Sequence, residues 1–126
     1  MELFDTNIFL EILLAQEKAQ QCKRLLNDRV GSISITDFTL HSIGVILFRQ
    51  NLEQTFACFA TDVLPKIQIL SLNPGSYTKL AILKSEYKLD FDDAYQSAVA
   101  EEGDCSIVTM DKDFEKISNR IKIEFI

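Results

Sequence analysis

The hydropathy pattern breaks into short apolar runs separated by longer amphipathic stretches. Leu3-Phe4 is an apolar pair closed by Asp5-Thr6-Asn7. Ile8 to Leu14 is then apolar nearly all round, the composition of a buried helix. Residues 16–28 carry apolar positions at 19, 22, 25 and 26 on a polar background, which predicts an amphipathic surface helix. Gly31 to Thr36 alternates polar and apolar as a strand does, and Thr36-Asp37 opens a largely apolar helix running to about Gln50. A further helix is predicted from Asn51 to about Val63, closed by Pro65, and Ile67 to Leu72 alternates as a third strand. Asn73-Pro74 starts the next helix, to about Lys88, since Asn caps well and Pro fits the first turn. Leu89 to Ala100 places Phe91, Ala94, Tyr95 and Ala98, with Glu102 beyond, at helical spacing along an inward stripe. Cys105 to Met110 reads as a strand, 112–117 as a short helix, and Ile121 to Ile126 as a last strand with Lys122 and Glu124 outward.

Strands alternating with helices in this order predict a three-layer α/β/α sandwich around a mainly parallel five-stranded sheet. The 126 residues suffice for one domain, 1–126, and are too few for two. With 47% hydrophobic and 25% charged residues, the chain is a folding one and not a disordered one.

Candidate chemistry sits where strands run out. Ile107-Val108 is followed by Thr109, Asp111 and Asp113, and Leu3-Phe4 by Asp5 and Asn7. In an open parallel sheet, ligands bind beyond the carboxyl ends of the strands, so acids there suggest a metal or phosphate site. Each Asp has a competing structural explanation as a helix N-cap. Asp90, Asp92 and Asp93 crowd one helical turn, which exceeds what a cap uses, and they repel one another unless a cation lies between them. Oxygen-only ligands of this kind suit Mg²⁺ or Mn²⁺ rather than zinc. Asn7 and Glu11, four apart, share a helix face beside Asp5.

The net charge of −6 fits such a cluster and shows no basic stripe of a nucleic-acid binder, although Lys23, Arg24, Lys79, Lys84 and Lys88 are available to phosphate. His41, the one histidine, lies on an apolar helix and is expected to be a core residue; with no second His, a serine-hydrolase triad has little support. Cys22, Cys58 and Cys105 lack metal-ligand spacing and are expected to be buried, reduced thiols. The N-terminus has no signal-peptide character and no apolar run spans a bilayer, so a cytoplasmic protein without membrane contact is expected.

Three stretches, Leu3-Phe4-Asp5-Thr6-Asn7, Asp92-Asp93-Ala94 with Ala98 and Ala100, and Val108 to Phe114, resemble the PIN domain, whose members include VapC-type toxins. The resemblance runs the length of the chain. It implies a sheet order of 3-2-1-4-5 and a metal-dependent ribonuclease. Asp5, Asp93 and Asp111 would be the catalytic, metal-binding carboxylates, using Mg²⁺ or Mn²⁺. Asn7, Thr109 and Asp113 would support them, with Asp92 the alternative to Asp93. It further implies an RNA substrate, with an antitoxin protein and a second copy of the chain as candidate partners.

One position departs from the family pattern. A Glu is usual in the helix after the second strand, and Thr39-Leu40-His41-Ser42-Ile43 puts His41 or Ser42 there. Asp37 or Glu11 is the candidate to compensate. The competing expectations are a non-catalytic RNA- or protein-binding module and, less favoured, a phosphotransferase or receiver domain; haloacid-dehalogenase-type enzymes want an Asp where Asn7 stands.

Overall fold

The computed structural model describes all residues, 1–126. Five strands, β1 (Glu2–Phe4), β2 (Ile33–Thr36), β3 (Gln68–Leu70), β4 (Ser106–Thr109) and β5 (Ile123–Phe125), form one sheet in the order β3-β2-β1-β4-β5. Every neighbouring pair is parallel. The sheet is therefore wholly parallel, and all carboxyl ends lie along one edge.

Six α-helices cover it: α1 (Thr6–Leu13), α2 (Ala19–Asp28), α3 (Asp37–Arg49), α4 (Glu53–Asp62), α5 (Thr78–Tyr87) and α6 (Phe91–Glu102). The central strands are buried on both faces, which is why their apolar residues run consecutively. Leu3 and Ile107 point into a core shared with α5, α6 and Phe114. Their neighbours Phe4 and Val108 point the other way, into a core built by α1 to α4. Alternation along two three- to four-residue strands thus separates the helical layers. Gly31, at φ +98°, makes the turn from α2 into β2 in a conformation that disfavours a side chain.

The expected elements are present with four differences. The helix anticipated from Asn73 is interrupted: Pro74–Ser76 forms a 3-10 turn and α5 begins only at Thr78. Glu102 is the cause, because its carboxylate accepts from Asn73 N (3.0 Å) and Ser76 Oγ (2.6 Å) and ties that turn to the end of α6. Glu102 is accordingly exposed and not part of the inward stripe. His41 is exposed, not in the core, because α3 buries the stripe Thr39, Ile43 and Leu47 and residue 41 lies across the helix from it. Cys58 is likewise exposed, since α4 turns Phe59 inward, while Cys22 and Cys105 are buried; all three thiols are free. No helix is long and apolar enough to cross a membrane.

Candidate metal centre

The carboxyl edge of β1 and β4 is where the acids gather. Asp5 follows Phe4 directly, and its backbone N–H still donates to Val108 O (3.0 Å), so the residue is fixed by the β1–β4 ladder. Its Oδ1 accepts from Thr6 N (2.7 Å) as the cap of α1 and from Gln96 Nε2 (2.9 Å). Its Oδ2 accepts from the Thr109 hydroxyl (2.7 Å). The same Thr109 oxygen accepts from Asp111 N (2.9 Å). One buried hydroxyl at the end of β4 therefore sets the positions of both Asp5 and Asp111.

Asp111 Oδ1 in turn accepts from Asp113 N (2.9 Å), capping the 3-10 helix Lys112–Ile117. Capping and site-building coincide here: each cap occupies one carboxylate oxygen, and Asp111 keeps its second for the cleft. Asp90 caps α6 through Asp93 N (3.3 Å), which turns Asp93 inward.

Asp5, Asn7, Ser42, Asp92, Asp93 and Asp111 line one cleft of about 190 Å³. No Lys or Arg faces it. Within 4.8 Å of one another lie carboxylate oxygens of Asp93, Asp111 and Asp113, and likewise of Asp90, Asp92 and Asp93. Asp93 is common to both groupings and only 5% exposed. Asp5 belongs to neither grouping but lines the same cleft. Asp113 is exposed, 3.9 Å from Lys116 Nζ.

The electrostatics follow from this crowding. Burial first, then the charges of Asp90, Asp92, Asp111 and Asp5, push the Asp93 carboxyl up to about 8. Asp92 is also raised, by burial and then by its bond to Asp90, whereas that hydrogen bond from Asp92 lowers Asp90. A carboxyl that holds its proton near neutrality among other carboxylates, with no protein cation opposite, is a place that a hard divalent cation would relieve. The oxygen-only donor set fits Mg²⁺ or Mn²⁺.

The other candidates separate clearly. Of the two residues, Ser42 lines the cleft and His41 does not. Asp37 lies outside the cleft lining, where its Oδ1 accepts from the Tyr95 hydroxyl (2.7 Å) and Phe38 N (2.9 Å). Glu11 is used at the α1–α2 connection, accepting from Lys18 N (2.9 Å). Neither reaches the acids. Gln96 was not anticipated from sequence. It is 2% exposed, its amide nitrogen serves Asp5, and its Oε1 has no partner. The available signal was a Gln three residues after Asp93 in a helix face otherwise filled by Ala and Tyr.

A parallel sheet of this order with carboxylates converging beyond β1 and β4 defines an α/β protein of the acid-cleft type. The PIN domain model matches residues 3–120, and the chain belongs to the PIN domain family. Solved structures agree in fold. A toxin–antitoxin complex from Klebsiella pneumoniae is similar with a TM-score of 0.76 at 21% identity, covering 98% of this chain and 96% of that one. VapBC2 from Rickettsia felis, bound to a promoter DNA fragment, gives 0.79 at 16%, covering 98% and 97%. Mycobacterium tuberculosis VapC20, a toxin that cleaves the sarcin-ricin loop, gives 0.76 at 15%, covering 91% and 93%. Comparison with curated proteins returned no match.

Proposed function

We propose that this PIN domain is a Mg²⁺- or Mn²⁺-dependent endoribonuclease and the toxin of a toxin–antitoxin pair. The carrying observation is the convergence of Asp93, Asp111 and their neighbours on a cleft without a protein cation. The toxin role is supported by similarity to toxin–antitoxin structures.

In this reading Asp93 and Asp111 would hold the ion, with Asp92 and Asp113 beside them. A bound divalent ion supplies charge neutralisation at the scissile phosphate and a water acidic enough to attack it in line. Asp5, held by Thr6, Gln96 and Thr109, lines the same cleft and would complete the set of carboxylates around the ion. Because ligand carboxylates must be ionised, the proton that burial and neighbouring acids keep on Asp93 would have to pass to solvent for this carboxyl to serve as a ligand. Asn7, at the exposed start of α1, offers an amide donor to a phosphate oxygen.

A second reading, a binding module without catalysis, is favoured by Ser42, which lines the cleft with a neutral hydroxyl where the family's usual acid would be. Incubation of single-stranded RNA with Mn²⁺ separates the two. Cleavage by the wild type that Asp93→Asn abolishes supports the ribonuclease. Cleavage by neither protein, or equal cleavage by both, removes it.

A further inference from the structure

The acid cleft does not end at Asp92. Asp90, whose carboxylate lies within 4.8 Å of those of Asp92 and Asp93, also lines a groove between α5 and α6. Two aromatic rings flank that groove, Phe91 and Tyr77, on a floor that includes Leu80 and Leu89. Both rings are open to solvent: Phe91 is 56% exposed and Tyr77 45%. Phe91 sits between two acids in the first turn of α6 and, with Tyr77, forms one exposed aromatic patch on the groove.

Its ring is nonetheless held. It stacks on Tyr95 at 6.3 Å with 21° between planes and meets Phe38 at 5.8 Å. Tyr95 is buried and anchored at its hydroxyl, which donates to Asp37 and accepts from Leu72 N. Tyr77 packs on the same Tyr95 at 5.9 Å. A buried tyrosine thus braces two exposed rings, so each presents a pre-positioned flat face and little ordering entropy remains to be lost on binding.

Beyond the rings, Lys84 and Lys88 line the continuation of the groove. Neither lies within 4.0 Å of a carboxylate oxygen, since the ion pairs of the chain are formed by Arg29, Lys116 and Arg120. Lys88 caps α5 at φ +60°, a left-handed position where glycine is usual. The groove thus brings two aromatic rings, the Asp90 carboxylate and two lysines together, Lys84 without an ion-pair partner and Lys88 with its Nζ donating to Ser85 O (3.1 Å).

We propose that the α5–α6 groove is the strand-binding subsite of this domain. An unpaired RNA base next to the scissile phosphate stacks on Phe91 and Tyr77, and the following phosphate meets Lys84 and Lys88. The inference rests on the ribonuclease reading for its substrate and accounts for how an acidic protein holds RNA. Base stacking tolerates any sequence because every base has a flat face. Two ammonium groups supply only a shallow salt dependence.

The test is binding without turnover. A fluorescein-labelled, eight-nucleotide single-stranded RNA is titrated with protein in Ca²⁺, beside an oligomer of the same length lacking bases. Wild-type protein is expected to prefer the RNA. Phe91→Ala and Phe91→Leu should weaken RNA binding roughly 5- to 100-fold, the worth of one stacked base, and bring RNA and base-free oligomer level. Phe91→Leu preserves the apolar packing on Phe38 and Tyr95, so a loss shared by both variants reports the flat ring. Lys84→Ala should lower the salt slope by about one.

Undiminished RNA preference in both Phe91 variants overturns the inference. So does a wild-type dimer that Phe91→Ala converts to monomer while RNA binding stays unchanged, for the face is then an interface between copies. Cleavage in Mn²⁺ with neutral Phe91 variants removes this subsite alone, and base-dependent binding without any cleavage removes the ribonuclease reading alone.

Discussion

Thr109 Oγ1 donates to Asp5 Oδ2 at 2.7 Å, joining the ends of β4 and β1 across 104 residues of chain. The same oxygen receives Asp111 N, so a hydroxyl with no exposure satisfies one acid and positions another. Thr109→Val keeps shape and removes both bonds. It is expected to cost about 1–3 kcal/mol in urea denaturation, the range for stranding buried polar partners. Thr109→Ser should recover most of the loss. Equal stability of the Val variant would mean that the hydroxyl is not shared as described.

Asp93 gives the metal-free protein a particular pH dependence. Its carboxyl sits at about 8 when folded and near 3.8 when unfolded. Between these values the folded chain keeps a proton that the unfolded chain has lost. Its contribution to stability is thus complete below the unfolded value and declines as pH rises towards 8. Thermal melts in chelator should show Tm falling from pH 5 to 8, and Asp93→Asn should flatten that fall. Added Mn²⁺ should raise Tm more at pH 8 than at pH 6, because binding must displace the proton.

Ser42 lines the cleft in place of an acid. Ser42→Glu is expected to tighten Mn²⁺ binding on the order of tenfold, the scale on which supporting groups act at metal sites. Mn²⁺ titration followed by calorimetry checks it. No gain would place the added carboxylate out of reach of the ion.

Asp37 and Glu11 were the sequence candidates to replace the missing acid, and both are committed elsewhere. Asp37→Ala should leave Mn²⁺ affinity within twofold of wild type and lower stability by about 1–2 kcal/mol, since the buried Tyr95 hydroxyl loses its acceptor. Glu11→Ala should likewise spare metal binding. A tenfold loss of affinity in either would restore the compensation idea.

How far the sequence reaches differs from element to element. Leu3-Phe4 and Ile107-Val108 announce their strands because residues buried on both faces must run consecutively, and the acids after them mark the carboxyl edge. Asp92 and Asp93 stand out because like charges in one turn need a reason. The strand order is not encoded in periodicity and came only from family resemblance. An apolar stretch does not say which third of its surface is buried, and α3 buries the Thr39–Ile43–Leu47 stripe, which leaves His41 outside. The break before α5 depends on Glu102, 26 residues from Ser76, and such pairing has no local sign. Gln96 has no local sign for the same reason: its amide reaches Asp5, 91 residues away.

The most direct test is a calorimetric Mn²⁺ titration of the wild type against Asp93→Asn and Asp111→Asn at pH 7.5, with folding of each checked by circular dichroism. Saturable Mn²⁺ binding by the wild type that weakens at least tenfold in both variants is the predicted result. Equal affinity in all three folded proteins, or no binding by the wild type, would contradict a metal centre built on Asp93 and Asp111.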